Sequence, residues 1–210
     1  MTASMSRLYA RSESGSDRRR SGRAGAGEGG HATVCTRTKR ARLSAMERML
    51  RVAGGQLGPT QRDHTRDEVV ERLVGLLRQA SEAGCELVVF PELALTTFFP
   101  RWHSPDITEF DHYYETEMPG PTTRVLFDEA RRLGIGFSLG YALLEHGNDG
   151  NVHRWNVQTL VERDGSHVAT FKKVHIPGHE HFDPDRPFQH AERYFFEPSP
   201  DGFGAWDAFG

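Results

Sequence analysis

Between Leu50 and Phe90 the chain reads strand, helix, strand, and that order constrains its fold more than any other feature. Thr65 followed three residues later by Glu68 forms a capping box, which opens a helix whose Val69, Val70, Leu73, Leu76, Leu77 and Ala80 fall on one face. Gly84 ends it. The apolar run Glu86-Leu87-Val88-Val89-Phe90 reads as a short buried strand of a parallel sheet. A second helix follows Pro121, carrying Val125, Leu126, Ala130 and Leu133, and Gly134 closes it. A strand over 135–142 and a hairpin formed by 155–162 and 167–175, turning at Asp164-Gly165, complete an α/β pattern.

Glu92 stands where the 86–90 strand runs out into the aromatic loop Phe98-Phe99-Pro100-Arg101-Trp102. In open α/β sheets ligands gather beyond the carboxyl ends of the strands, so a carboxylate there is placed to act as a general base. Crowding by Phe98, Phe99 and Trp102 would desolvate it and favour its neutral form. A helix-capping role or a pair with Arg101 fits the position equally well. Lys173 lies near the carboxyl end of its own strand, although beside Lys172 it reads as a solvated charge. His175, His179 and His181, with Asp183 and His190 nearby, resemble a metal cluster. Pro177-Gly178 prevents the helix that would put His175 and His179 on one face, which argues against a metal site. Gly25, Gly27 and Gly30 form a linker-like string with no preceding strand and no following Lys-Ser or Lys-Thr, so they do not read as a phosphate cradle.

Charge divides the chain into two regions. Residues 1–45 carry ten Lys or Arg against three acids, a net of +7, leaving 16 against 26, a net of −10, in the remaining 165 residues. The leader has almost no large apolar residue and is expected to stay disordered, either as an upstream stretch before the true start at Met46 or Met49, or as a basic segment for targeting or nucleic-acid contact. Nucleic acid is the less favoured partner. With no apolar run of membrane or signal-peptide length and only Cys35 and Cys85, the expected location is cytoplasmic. The domain proper is expected over 46–210.

The strings Phe90-Pro91-Glu92-Leu93-Ala94-Leu95-Thr96-Thr97-Phe98-Phe99-Pro100-Arg101-Trp102, Tyr114-Glu115-Thr116-Glu117-Met118-Pro119-Gly120-Pro121, Lys173-Val174-His175-Ile176-Pro177-Gly178-His179 and Arg186-Pro187-Phe188-Gln189-His190 resemble the N-carbamoyl-D-amino acid hydrolases of the nitrilase superfamily. The resemblance runs from about Met46 to the end and implies an α-β-β-α sandwich with a Glu, Lys and Cys catalytic set and no metal or cofactor. It implies Glu92 as the proton carrier, Lys173 as the oxyanion partner, Glu192 as the carboxylate that orients the lysine, and His175 and His190 as supporting hydrogen-bond partners. The substrate would be a small N-carbamoyl amino acid, hydrolysed by a homo-oligomer. A β-ureidopropionase or other amidase is the alternative within the same chemistry, and a non-catalytic fragment whose basic leader contacts nucleic acid is the alternative outside it. Neither cysteine suits the nucleophile's place. Cys85 begins the strand that Glu92 ends, about 23 Å away at roughly 3.3 Å per residue, and Cys35 sits in the leader. The chain is therefore expected to be the amino-terminal half of such a hydrolase, ending before the strand that carries the cysteine.

Overall fold

The computed structural model describes residues 49–210, together with the backbone of two four-residue strands, β1 (Ser6–Tyr9) and β2 (Gly30–Thr33), paired in parallel. The rest of the expected disordered leader, Cys35 included, lies outside the described residues. A five-stranded sheet follows in the order β3 (Val52–Gly54), β4 (Leu87–Val89), β5 (Gly136–His146), β6 (Val152–Val161) and β7 (His167–Lys172). The first three strands are parallel, with Ala53, Val88 and Phe137 side by side, and β6 pairs antiparallel with both β5 and β7.

Helix α1 (Arg66–Glu82) starts at the Thr65–Glu68 capping box and α2 (Arg124–Leu133) ends on Gly134, whose φ of 65° is the left-handed conformation a side chain would oppose. Both helices cover one face of the sheet. Their Val69, Leu73, Leu76, Leu77, Leu126 and Ala130 pack on Val88, Phe137, Leu139, Tyr141 and Val157. Val125, grouped with the apolar face of α2 by its sequence, is instead 52% exposed, because successive residues on a helix point about 100° apart and Leu126 takes the inward position.

Two boundaries differ from the sequence reading. Strand β5 extends to His146 and turns back through 147–151 into β6, a hairpin that Gly147 and Asn151 close by a 2.8 Å backbone bond. Strand β7 stops at Lys172 because the chain bends at Val174.

The opposite face is partly covered. Near the carboxyl ends of the strands, Ala142 and Leu144 lie beneath a second cluster built from Leu93, Phe99, Phe110, Tyr113, Tyr114, Ile176, Phe195 and Phe196. Lower down, Val89, Phe203 and Trp206 remain exposed, with Phe203 and Trp206 leaning on Phe171.

The two covering helices are tied together by Glu129, a buried carboxylate that accepts from Arg132 at 2.7 and 2.8 Å and from Arg78 at 2.5 Å. Hydrogen bonds from Arg132 and then Arg78 hold its carboxyl down at about 2. A carboxyl depressed in the folded state contributes stability that is present above its ordinary value of 4.5 and is lost as pH falls towards about 2. Glu129→Gln should therefore lower the melting temperature at pH 6 and flatten its decline between about pH 4.5 and 2. Thermal melts of both proteins across that range provide the measurement.

Candidate active site

Glu92 leaves β4 on a turn that the sheet itself holds down. Phe90 donates its amide to Ser138 O at 2.8 Å, and Ala94 donates to Gly140 O at 2.8 Å. Gly140 is needed there, since a Cβ at that position would meet Pro91 O at 2.6 Å and Glu92 Cα at 2.7 Å. Leu93 adopts a φ of 48°, a conformation that costs about 1–2 kcal/mol in a non-glycine residue. Burial of its side chain in the second cluster offsets that strain. Arg66, at the start of α1, pins the same loop from behind. It donates to Leu95 O and Tyr113 O and pairs with Glu115 at 2.8 Å. Burial lowers the Arg66 guanidinium and raises the Glu115 carboxyl, and their mutual attraction opposes both effects.

Lys173 follows the last residue of β7, and its amide donates to Asn156 O at 2.8 Å. Its ammonium reaches Glu92 Oε1 at 2.5 Å and Glu192 Oε2 at 2.8 Å. Residues 81 and 19 apart in sequence thus meet at one nitrogen. Burial pulls this ammonium down, but the hydrogen bonds it donates to Glu192 and Glu92, with their negative charge, outweigh it and leave Lys173 above the ordinary lysine value. The lysine therefore stays charged at neutral pH. Glu192 opens the short helix α3 (Glu192–Phe195) and is almost fully buried, anchored by Phe195 and Phe196 in the aromatic cluster. Its second oxygen accepts from His190 Nε2 at 3.0 Å, and the His190 ring meets Phe98 edge-on.

Not every expected contact forms. Glu92 is half-exposed, not enclosed by rings, because Phe99 turns inward to stack on Tyr113 while Trp102 lies under Arg62. Arg101 faces Phe188, so the Glu92–Arg101 alternative is replaced by the lysine pair. His175 makes no hydrogen bond to Glu92, Lys173 or Glu192. It meets the edge of Phe203 and lines a separate hollow of about 430 Å³ with Ile176, Arg193 and Phe196. The bend at Val174 breaks the two-residue alternation that would have put His175 beside Lys173. His179 bonds Gln189 at 3.0 Å, and among the described residues no group of three or more His, Cys, Asp or Glu is arranged to hold a metal ion.

Three contributors had no signal in the sequence: Gly140, Arg66 and Asn156. Asn156 is buried on β6 and donates to Glu92 Oε1 at 2.5 Å. Together with Gln158, Phe171 and Lys173, Glu92 and Asn156 line a hollow of about 130 Å³. A carboxylate beside a fixed ammonium, open to a small cavity, can exchange a proton with a bound group while the ammonium faces a developing negative charge. Cys85, the only cysteine among the described residues, is buried near the start of β4, and desolvation raises its thiol. It is a packing residue.

The model of the carbon-nitrogen hydrolase family matches residues 51–208. The chain belongs to that family. Similar proteins include a nitrilase of Pseudomonas syringae, 28% identical over 153 residues, which covers 60% of this chain and 45% of that protein. An N-carbamoylputrescine amidase of Solanum tuberosum is 26% identical over 161 residues, covering 77% and 47%. The hydrolase domain thus spans about half the length of the curated relatives it matches. Among solved structures, a carbon-nitrogen hydrolase from Helicobacter pylori shares the fold with a TM-score of 0.53 at 22% identity, covering 72% of this chain and 46% of that one. An amidase from Nesterenkonia sp. AN1 does so at 0.51 and 22%, covering 72% and 50%. The mixed α/β sheet is that of the nitrilase superfamily. No helix among the described residues is long and apolar enough to cross a membrane.

Proposed function

We propose that this domain supplies the proton-handling part of an amidohydrolase site acting on N-carbamoyl-D-amino acids, with Glu92, Lys173 and Glu192 in those roles and a thiol supplied from outside the described residues. The observation that carries the proposal is the convergence of both carboxylates on Lys173 Nζ. A ureido carbon flanked by two nitrogens is a poor electrophile, so its hydrolysis calls for a strong nucleophile, a proton shuttle and a positive charge at the oxyanion. Glu92 takes the thiol proton as sulfur attacks the carbonyl carbon. Lys173 faces the resulting oxyanion, and Glu192 holds the lysine from its buried side. Collapse breaks the bond to the terminal nitrogen, which leaves as ammonia with the proton from Glu92. Glu92 then deprotonates water, which displaces the thiol to give a carbamic acid that loses carbon dioxide and frees the amino acid. No step calls for a metal or cofactor. A family that includes relatives named for N-carbamoylputrescine supports a carbamoyl substrate, while those named nitrilase support the broader amidase reading. A homo-oligomer acting on this small substrate remains part of the proposal.

The test is ammonia release from N-carbamoyl-D-phenylalanine, its L-enantiomer and a plain aliphatic amide. The 210-residue chain alone is expected to release none, because among the described residues Glu92 and Lys173 have no thiol within reach, Cys85 being buried near the start of β4. Joined to the carboxy-terminal half of a family amidase, it should turn over the D-carbamoyl substrate first. Turnover of the plain amide with none of the ureido compound would replace the carbamoylase reading by the amidase one.

A further inference from the structure

Among the described residues Asn156 is the one neutral side chain that hydrogen-bonds to the Glu92 carboxylate, and it does so from within the sheet. It is 3% exposed, sits opposite Ala142 in the β5–β6 ladder, and offers its carbonyl to the amide of Lys173 at 2.8 Å. Its Nδ2 and the Lys173 ammonium both donate to Glu92 Oε1, each at 2.5 Å, and no described residue donates to Oε2. Two donors on one oxygen fix the rotation of a carboxylate and leave the lone pairs of the other oxygen unused, in a side chain that lines the adjoining hollow. Lysine alone would not achieve this, since a rotatable ammonium can donate to either oxygen of the carboxylate. An amide held by a sheet does not turn with it.

We infer that Asn156 is a positioning residue that holds Glu92 against Lys173 and reserves Glu92 Oε2 for proton exchange. This rests on the reading of Glu92 as the proton carrier. A neutral donor suits the task, because a second cation would weaken Glu92 as a base and a second carboxylate would repel it.

The chain has three lysines, Lys39, Lys172 and Lys173, so the Lys173 side chain can be followed by NMR with isotope-labelled lysine. In the 210-residue chain, Asn156→Leu should lower the pH at which Lys173 loses its proton, because Glu92 drifts away from it. Asn156→Gln, which keeps a donor on a longer stem, should retain more of the original value. In a Glu92→Gln background the leucine substitution should have no further effect. An unchanged Lys173 titration, an equal loss in the leucine and glutamine variants, or a shift that persists without Glu92 would each overturn the inference. In a form competent for turnover, Asn156→Leu should lower kcat by about tenfold or more with KM moved less. If the NMR coupling is present but turnover is untouched, the role of Glu92 as proton carrier fails and the positioning contact stands. If the coupling is absent while Glu92→Gln still abolishes turnover, the reverse holds.

Discussion

Replacing Glu92 by Gln in a turnover-competent form of the hydrolase domain is expected to lower kcat by about a hundredfold or more, as is Lys173→Ala, the range that losing a general base or an oxyanion partner produces. The two effects should not add, because the pair shares one hydrogen bond and losing either side chain removes the same contact. Stopped-time ammonia assays on the two single variants and the double variant make the comparison. His179→Ala should cost far less, since that ring bonds Gln189 in the 179–190 loop and touches none of the three site residues. A chelator should change nothing. Metal-dependent turnover that survived Glu92→Gln would remove the proposed mechanism at its centre.

Phe99→Ala should produce the largest loss of stability. Phe99 is fully buried, stacks on Tyr113 with ring centres 4.9 Å apart and meets Phe195 edge-on at 5.2 Å. Truncating such a ring costs about 3–5 kcal/mol, the sum of lost burial and the cavity left behind. The consequence reaches the site, because this cluster joins the loop that follows Glu92 to the helix that carries Glu192. Denaturant unfolding should show the drop. In a turnover-competent form kcat should fall as well, since a misplacement of about 1 Å at a catalytic carboxylate is felt strongly. Phe188→Ala is the matched comparison: that ring is 67% exposed, and its removal should shift stability by no more than about 0.5 kcal/mol.

Much of the architecture was legible in short-range patterns. The Thr65–Glu68 capping box, the apolar face of α1, Gly134 after α2 and the continuous apolar run of β4 each depend on residues a few positions apart, and each element formed where its pattern lay. Local signals were weaker where one element hands over to another. The β5–β6 hairpin was missed because its turn, Gly147-Asn148-Asp149-Gly150, separates strands whose pairing is decided by long ladders.

The sequence by itself placed Glu92, Lys173 and Glu192 among the residues to examine, on the strength of a family resemblance and of strand ends. It also excluded Cys85 as a nucleophile, since seven residues of extended strand separate it from Glu92. Only the tertiary structure decided that the three charged groups share one nitrogen and that His190 reaches Glu192 while His175 does not. Only it showed that an asparagine on β6, two strands away from β4, donates a hydrogen bond to the Glu92 carboxylate. The reason is physical. Capping, periodicity and turn chemistry act over one or two turns of backbone, whereas the geometry of the site is set by strand order, by a bend at Val174 and by the close approach that Gly140 permits, none of which has a local cause.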